Sequence, residues 1–292
     1  MADILVVGAL HHDVIVTAPR LPMLDETLKG TSVAYALGGK GGNQALSAAR
    51  HGASVAFGGC IGSDEAGRTM LAQLAAGGVE TGAITVHPTL ASGMSAAIVT
   101  QSGEYGAVIV SAANEAIDAA GIDLPNGIKW LVLQNEIPAH INLAIAAKAA
   151  QTRVKIMLNA APARAMDLAL LALVDVLVVN RIEAKALAGE LANFAGTLVE
   201  TRGADGLTAY LPVGQTLTLP AFPVTMTSAH GAGDCFVGAL AARLCSGDTM
   251  HAALLYAAAA AALHVSLPVQ DRSALTPLDV FNLMETRHVD GH

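Results

Sequence analysis

The sequence predicts an α/β fold in which a mostly parallel central sheet carries helices on both faces and a small second β-sheet grows out of it. Two observations lead there. Between residues 130 and 201, short apolar runs alternate with helical stretches across brief connections, the order that builds βαβ units. Before residue 111 the texture differs, with short strand-like runs divided by turn residues and interleaved with the same α/β pattern.

In chain order, residues 5–8 read as a first core strand. The preceding Asp3 stands where a secretory leader would carry Lys or Arg. Residues 14–17, 28–35, 93–100 and 105–110 read as strands of the small sheet, which therefore occupies about 13–36 and 92–111. Residues 41–51 form an amphipathic helix and 55–58 a core strand. The runs 130–134, 154–158, 174–179 and 197–199 suit strands buried on both faces, and 141–150, 165–173 and 182–191 suit the helices between them. Cys235, Phe236, Val237, Leu240 and Leu244 recur at helical spacing. The alanine-rich stretch 252–263 reads as a buried helix, well short of the ~20 residues a membrane span needs. No Pro/Ser-rich linker interrupts the chain, so residues 1–292 are expected to form a single domain with the small sheet as its lid.

Composition narrows the function. With 53% hydrophobic residues the 292-residue chain can bury a large core. Charged residues make up 14%, the net charge is −8 and no basic block occurs, which argues against a nucleic-acid partner. Cys60, Cys235 and Cys245 are odd in number and lack metal-site spacing, as expected of free thiols in a cytoplasmic protein.

Two glycine-rich segments carry the chemistry. Gly231-Ala232-Gly233-Asp234 stands directly ahead of the helical run at 235–244. Glycines let backbone N–H groups converge on one spot, and the positive end of the helix dipole adds to their pull on an anion. Asp234 would then be a base beside an oxyanion hole, the pair that a hydroxyl attacking a phosphoryl group requires. Taken alone, the same four residues also suit a helix cap and a turn. In the second segment, Gly38-Gly39-Lys40-Gly41-Gly42-Asn43, Lys40 is followed by Gly41, so it is no Walker A loop, nor does it match the dinucleotide fingerprint. Its glycines allow close approach of backbone to a small ligand, or simply a flexible turn, and Asn43 can both donate and accept. Polar residues follow the core strands: Gln134-Asn135-Glu136, Asn159, Asn180 and Glu200-Thr201. Ligands of open α/β sheets bind beyond those strand ends. Helix caps also favour Asn and Thr, though they account poorly for Glu136.

Together, Gly39-Lys40-Gly41-Gly42-Asn43 and Gly231-Ala232-Gly233-Asp234-Cys235-Phe236-Val237-Gly238-Ala239-Leu240 resemble the two signatures of PfkB-type carbohydrate kinases, in the right order and roughly 190 residues apart. The segments 8–13, 159–164 and 180–184 extend the likeness, which is strongest to the ribokinase-like branch. The resemblance implies a three-layer ribokinase-like fold and ATP-dependent transfer of the γ-phosphoryl group to a hydroxyl. In it Asp234 is the general base, and the amides of Ala232, Gly233 and Asp234, behind Gly231, form the anion hole. It further implies that Asp13, Gly39, Lys40, Asn43 and Glu136 line the sugar site, and that Thr201 and Gly203 approach the nucleotide phosphates. Asn180 and Glu183, on one face of a helix start, would hold Mg2+ of Mg·ATP through water.

Departures from the family pattern qualify these expectations. Ser228-Ala229-His230 replaces a common Asp-Thr, whose Asp helps bind an activating monovalent cation, and Leu267-Pro268-Val269-Gln270 replaces a glycine-containing stretch that supplies carbonyls to the same ion. Only Ser273 is retained, so potassium activation should be weak or absent. Arg202 stands where an aliphatic residue is usual, and Ala258 where a larger residue often touches adenine. Arg20, Lys29, Lys40 and Arg50 are the only cations among the first fifty residues, too few for a phosphosugar, so a free ribose-like sugar is favoured. A nucleoside acceptor would find only Tyr35 and Tyr105 as aromatic platforms, with Met23 and Met94 as apolar substitutes. A catalytically weak sugar-binding relative is the third reading, which the altered 228–230 stretch keeps open. His11 and His12 are adjacent in a strand and face opposite sides, so they should not share a metal ion. The exposed edges of the lid sheet lead to an expected homodimer.

Overall fold

The computed structural model describes residues 2–100 and 104–289. The chain opens with β1 (Ile4–Val7), β2 (His11–Ala18), β3 (Ser32–Gly38), α1 (Lys40–Arg50), β4 (Val55–Gly62), α2 (Glu65–Ala76) and β5 (Val79–His87). There follow β6 (Met94–Thr100), β7 (Tyr105–Val110), β8 (Trp130–Gln134), α3 (Ala139–Ala150), β9 (Lys155–Asn159), α4 (Leu168–Leu171) and β10 (Val176–Asn180). The last third holds α5 (Arg181–Ala186), α6 (Ala188–Leu191), β11 (Thr197–Thr201), β12 (Leu207–Tyr210), β13 (Thr216–Leu219), α7 (Ala232–Cys245), α8 (Met250–Ser266) and α9 (Pro277–Val289).

Nine strands form the central sheet in the order β13-β12-β11-β10-β9-β8-β1-β4-β5. The seven from β11 to β5 run parallel, and β12 and β13 add an antiparallel hairpin at one edge. Alternation along each strand divides the core into two layers. Ile4, Val6, Phe57, Val132, Met157 and Val178 face the layer that includes α1, α2, α7 and α8. Leu5, Val7, Leu131, Leu133, Leu158 and Val179 face the layer of α3 and α4. Strands buried on both faces need to be apolar throughout, which is why these runs were legible as core strands.

The second sheet has the order β3-β2-β6-β7. Its register places Tyr35, Val14, Ala96 and Val108 in one cross-strand row, and Asp13, Ala36, Ser95 and Ile109 in another on the opposite face. Val33, Tyr35, Val108 and Val110 on the first face are all more than half exposed. His12 shares that face and stacks on Tyr35, whereas His11 is buried on the other side.

Several boundaries differ from the sequence reading. The strand expected at 28–35 begins at Ser32, where pairing with Thr17 starts; residues 28–31 lie outside the ladder, with the Thr31 amide donating to the Thr17 carbonyl at 2.8 Å. The helix expected at 165–173 is confined to Leu168–Leu171 and capped by Asp167, whose side chain accepts from the Ala169 amide. That at 182–191 breaks at Leu187. α2, β5 and the β12–β13 hairpin were not anticipated. β5 and β13 are edge strands with half-exposed, polar-interrupted patterns, which carry little apolar signal. Among the described residues no helix is long and apolar enough to cross a membrane.

Candidate active site

The C-terminal ends of β9, β10 and β11 border a cavity through Asn159, Asn180 and Thr201, and glycines decide how closely α1 approaches the neighbouring ends of β1 and β8. A Cβ at Gly8 would lie 1.9 Å from Gln134 Oε1 and 2.9 Å from the Gly41 Cα, so the first turn of α1 rests directly on the ends of β1 and β8. Gly39, the residue before α1, has φ 85° and leaves only 2.5 Å between an added Cβ and the Ala9 carbonyl. This seating brings the Lys40 amide to Glu136, whose Oε2 accepts its hydrogen bond at 2.6 Å. Gly38 similarly leaves room for Asp13, since a Cβ there would overlap the carboxylate.

The second glycine segment arrives from the other side. Gly231, with φ 76°, is the residue before α7, and Asp234 lies in the first turn. Its Oδ1 accepts from Gln44 Nε2 at 2.9 Å, and the Asn43 side chain bonds the same carboxylate. The amides at the start of α7 divide. The Ala232 N–H donates to the Ala229 carbonyl at 3.3 Å and that of Cys235 to the Gly231 carbonyl at 2.9 Å, whereas those of Gly233 and Asp234 have no backbone acceptor among the described residues. The sequence reading gave the anion hole three amides; the turn at 229–232 takes up one of them.

A cavity of about 190 Å3 connects these pieces, lined by Lys40, Asn159, Asn180, Glu183, Thr201 and residues 231–234. Beside it lies an apolar cavity of about 270 Å3 that shares Thr201, Ala232 and Gly233 and extends over Gly203, Val224 and Ala258. The predicted residues Lys40, Asn180, Glu183, Thr201, Gly203 and Gly231 to Asp234 thus border two adjoining cavities. Gly39, Asn43 and Glu136 are tied to them by the contacts described above. Asp13 joins them electrostatically, because its charge and that of Asp234 both act on Glu136. Arg202 does not line either cavity: its guanidinium turns back to Glu200 at 3.1 Å.

Burial pushes four carboxyl groups above their ordinary range. For Asp234 this effect is opposed by the Lys40 charge and by hydrogen bonds from Gln44 and Asn43. For Glu136 it is opposed by the Lys40 amide and charge, and for Asp13 by a Ser95 hydrogen bond and the nearby His230. For Glu183 it is opposed chiefly by the Asn180 amide.

Asn180 and Glu183 form a reciprocal capping box at the start of α5. Asn180 Oδ1 accepts from the amides of Ile182 and Glu183, while Glu183 accepts from the Asn180 amide at 2.8 Å and from Nδ2 at 2.9 Å. Glu183 is buried, not an exposed helix charge. Each of its oxygens keeps a second lone pair, so it can accept from metal-bound water without breaking the box. Among the described residues no three His, Cys, Asp or Glu side chains cluster to ligate a metal directly.

Gln44 is a participant that sequence reasoning missed, although it directly follows Asn43 in the glycine-rich run. Arg272 is another: it is buried, with its guanidinium on the carbonyls of residues 228 and 230 just ahead of α7. Its sequence context, Gln270-Asp271-Arg272-Ser273, gives no sign of burial.

A polar pocket with a carboxylate and free helix-N-terminal amides, set beside an apolar cavity at the strand ends of a three-layer α/β fold, defines a phosphotransferase-type site. The family comparison agrees: residues 1–271 match the pfkB family carbohydrate kinase model, and the chain belongs to that family. It is 34% identical over 275 residues to a ribokinase of Bacillus subtilis, covering 91% of this chain and 93% of the relative. To a ribokinase of Haemophilus influenzae it is 31% identical, covering 96% and 97%. In fold it superposes on the Arabidopsis thaliana ribokinase complexed with ribose and ATP with a TM-score of 0.88, at 24% identity and covering 97% and 99% of the two chains.

Proposed function

We propose that this protein is a cytoplasmic, ATP-dependent kinase that transfers the γ-phosphoryl group to a hydroxyl of a small free sugar, ribose preferred. The observation that carries the mechanism is the meeting of Asp234 with Gln44 and Asn43 beside the free amides of Gly233 and Asp234. Asp234 takes the hydroxyl proton as the sugar oxygen bonds to phosphorus, the bond to the ADP oxygen breaks, and the two amides hold the charge on the transferring oxygens. Asp13, Lys40, Asn43 and Glu136 orient the sugar, Gly39 allowing their close approach. The apolar cavity over Gly203 and Ala258 takes the adenine, and Thr201 meets the phosphates. Asn180 and Glu183 would hold Mg2+ through water, and the ion would supply neutralisation of the phosphate charge.

The small sheet acts as a lid on the sugar, grown from one single-domain core. Its apolar outer face, with Val33, Tyr35, Val108 and Val110, supports a homodimer through the lid. An ADP-release assay over pentoses, hexoses and nucleosides with Mg·ATP tests the reading. Turnover highest with ribose is expected. Turnover confined to nucleosides would reassign the acceptor, and sugar binding without ADP release would make the protein a sensor.

A further inference from the structure

Arg272, in the loop between α8 and α9, is buried, and among the described residues no carboxylate forms an ion pair with it. Its charge is met by main-chain carbonyls instead. Nη1 donates to the His230 carbonyl at 2.7 Å, Nη2 to the Ser228 carbonyl at 2.8 Å and Nε to the Leu267 carbonyl at 3.1 Å. The imidazole of His264 completes the shell, its Nε2 lying 3.1 Å from Nη1. The same Nε2 lies 3.0 Å from the His230 carbonyl, so its tautomer decides whether it accepts from the guanidinium or donates to that carbonyl. Burial pushes the His264 pKa down to about 4, in keeping with a neutral ring. Carbonyl oxygens from two loops therefore point at one fixed positive charge, the arrangement in which a protein otherwise gathers an alkali cation.

The position of this charge matters as much as its partners. Ser228 and His230 immediately precede Gly231, whose φ of 76° starts α7 and sets the direction of the free Gly233 and Asp234 amides. A Cβ at Gly231 would lie 3.0 Å from His264 Nε2, so the same shell touches the first residue of the anion hole. Buried charge without a partner is expensive, and three charge-assisted hydrogen bonds hold the loop in one conformation. A monovalent cation gathered by the carbonyls at 228, 230 and 267 would sit against the Arg272 guanidinium and be repelled by its charge.

We propose that Arg272 is a built-in cation: a positioning residue whose guanidinium fixes the 228–230 loop, and with it the anion hole, so that phosphoryl transfer proceeds without an activating monovalent ion. This rests on the kinase reading above.

The test compares turnover of ribose and Mg·ATP in potassium chloride with that in choline chloride at equal ionic strength, for the wild type and for Arg272→Ala. The wild type should differ by less than about twofold between the salts, while Arg272→Ala should lose about 10- to 100-fold in kcat with the ribose KM within about threefold. Ethylguanidinium or potassium should restore part of that loss, and potassium should raise the thermal midpoint of Arg272→Ala but not of the wild type. If the alanine variant does not fold, Arg272→Lys serves, because one ammonium cannot span three carbonyls and should lose kcat by about tenfold. A wild-type rise of tenfold with potassium overturns the role of Arg272 and leaves the kinase reading standing. Near-wild-type kcat in both variants, in either salt, overturns it too. A wild type that neither turns over nor binds Mg·ATP overturns both.

Discussion

Gln44 Nε2 donates to Asp234 Oδ1 at 2.9 Å, joining two helices whose residues lie 190 positions apart in sequence. Gln44 has no solvent exposure, so this amide is the fixed end of the pair and the carboxylate is held against it. Replacing Gln44 with Ala should lower kcat by about 3- to 30-fold while the sugar KM moves less than about threefold, because what is lost is orientation of the base rather than a contact to substrate. Steady-state kinetics on Gln44→Ala check this. A change confined to KM would place Gln44 in sugar binding instead.

Asp234→Asn keeps the shape and removes the proposed proton acceptor. The expected loss is about 10²–10⁴ in kcat with sugar affinity by calorimetry nearly unchanged. Stability should move the opposite way. Burial raises the Asp234 pKa in the folded state, so the folded chain favours its protonated form. That contribution is present in full below the ordinary carboxylate range and is lost as pH rises through the raised value. At neutral pH the charged group therefore opposes folding, and Asp234→Asn should raise the thermal midpoint at pH 7.5, with the gain shrinking towards pH 4. An asparagine variant that is both fully active and no more stable removes Asp234 from the mechanism.

Lys40 is the principal group drawing the Asp234 pKa back down. Because the proposed base would work as a carboxylate, kcat/KM should fall as pH drops through its raised pKa, giving an acid limb above the ordinary carboxylate range. Lys40→Met removes the opposing charge and should shift that limb to higher pH. The same change leaves Glu136 with one favourable charge fewer, so the two groups move together. A pH–rate profile of both enzymes decides the matter, and coincident acid limbs would show that Lys40 does not set the base.

How much of this was legible in the chain depended on whether the signal was local. The buried strands of the central sheet announced themselves through unbroken apolar runs such as Trp130 to Gln134, whose boundaries coincide with the strand. The glycine segment at 38–42 was legible because close backbone approach demands glycine: at Gly39 and Gly41 a single Cβ would collide with the backbone of Ala9 and Gly8; at 231–233 it is the φ of 76° at Gly231 that favours glycine. The β12–β13 hairpin was illegible because its two four-residue strands are held by ladder hydrogen bonds rather than by a distinctive apolar pattern. Gln44 and Arg272 were missed for another reason. A polar side chain becomes functional through its partner, and their partners at Asp234 and at residues 228–230 are separated from them in sequence.

Glu183→Gln tests the metal assignment. Glutamine keeps the size and one acceptor oxygen but replaces the other with a donor facing either the Asn180 amide or its Nδ2, so the capping box should weaken by about 1 kcal/mol. The larger effect is expected on magnesium: with the negative charge gone, the magnesium concentration for half-maximal rate at fixed ATP should rise by about tenfold or more. A magnesium titration that coincides with the wild type, accompanied by a lower thermal midpoint, would confine Glu183 to capping.

Gly238 links stability to chemistry. It faces α1 from the second turn of α7, where an added Cβ would sit 2.4 Å from the Ser47 Cβ and 2.6 Å from the Gln44 carbonyl oxygen. Neither obstacle can rotate away, since one is main chain and the other is bonded directly to it. Ser47 is held further by its hydroxyl, which donates to the Cys235 carbonyl at 2.9 Å. Gly238→Ala must therefore push α1 and α7 apart, and overpacking of this kind costs about 1–3 kcal/mol, readable in urea unfolding. Spreading the helices also lengthens the Gln44–Asp234 contact, so kcat should fall at least as far as in Gln44→Ala, and adding Gln44→Ala to Gly238→Ala should lower it little further. Full additivity of the two changes in kcat would show that the helix contact and the Gln44 hydrogen bond act independently.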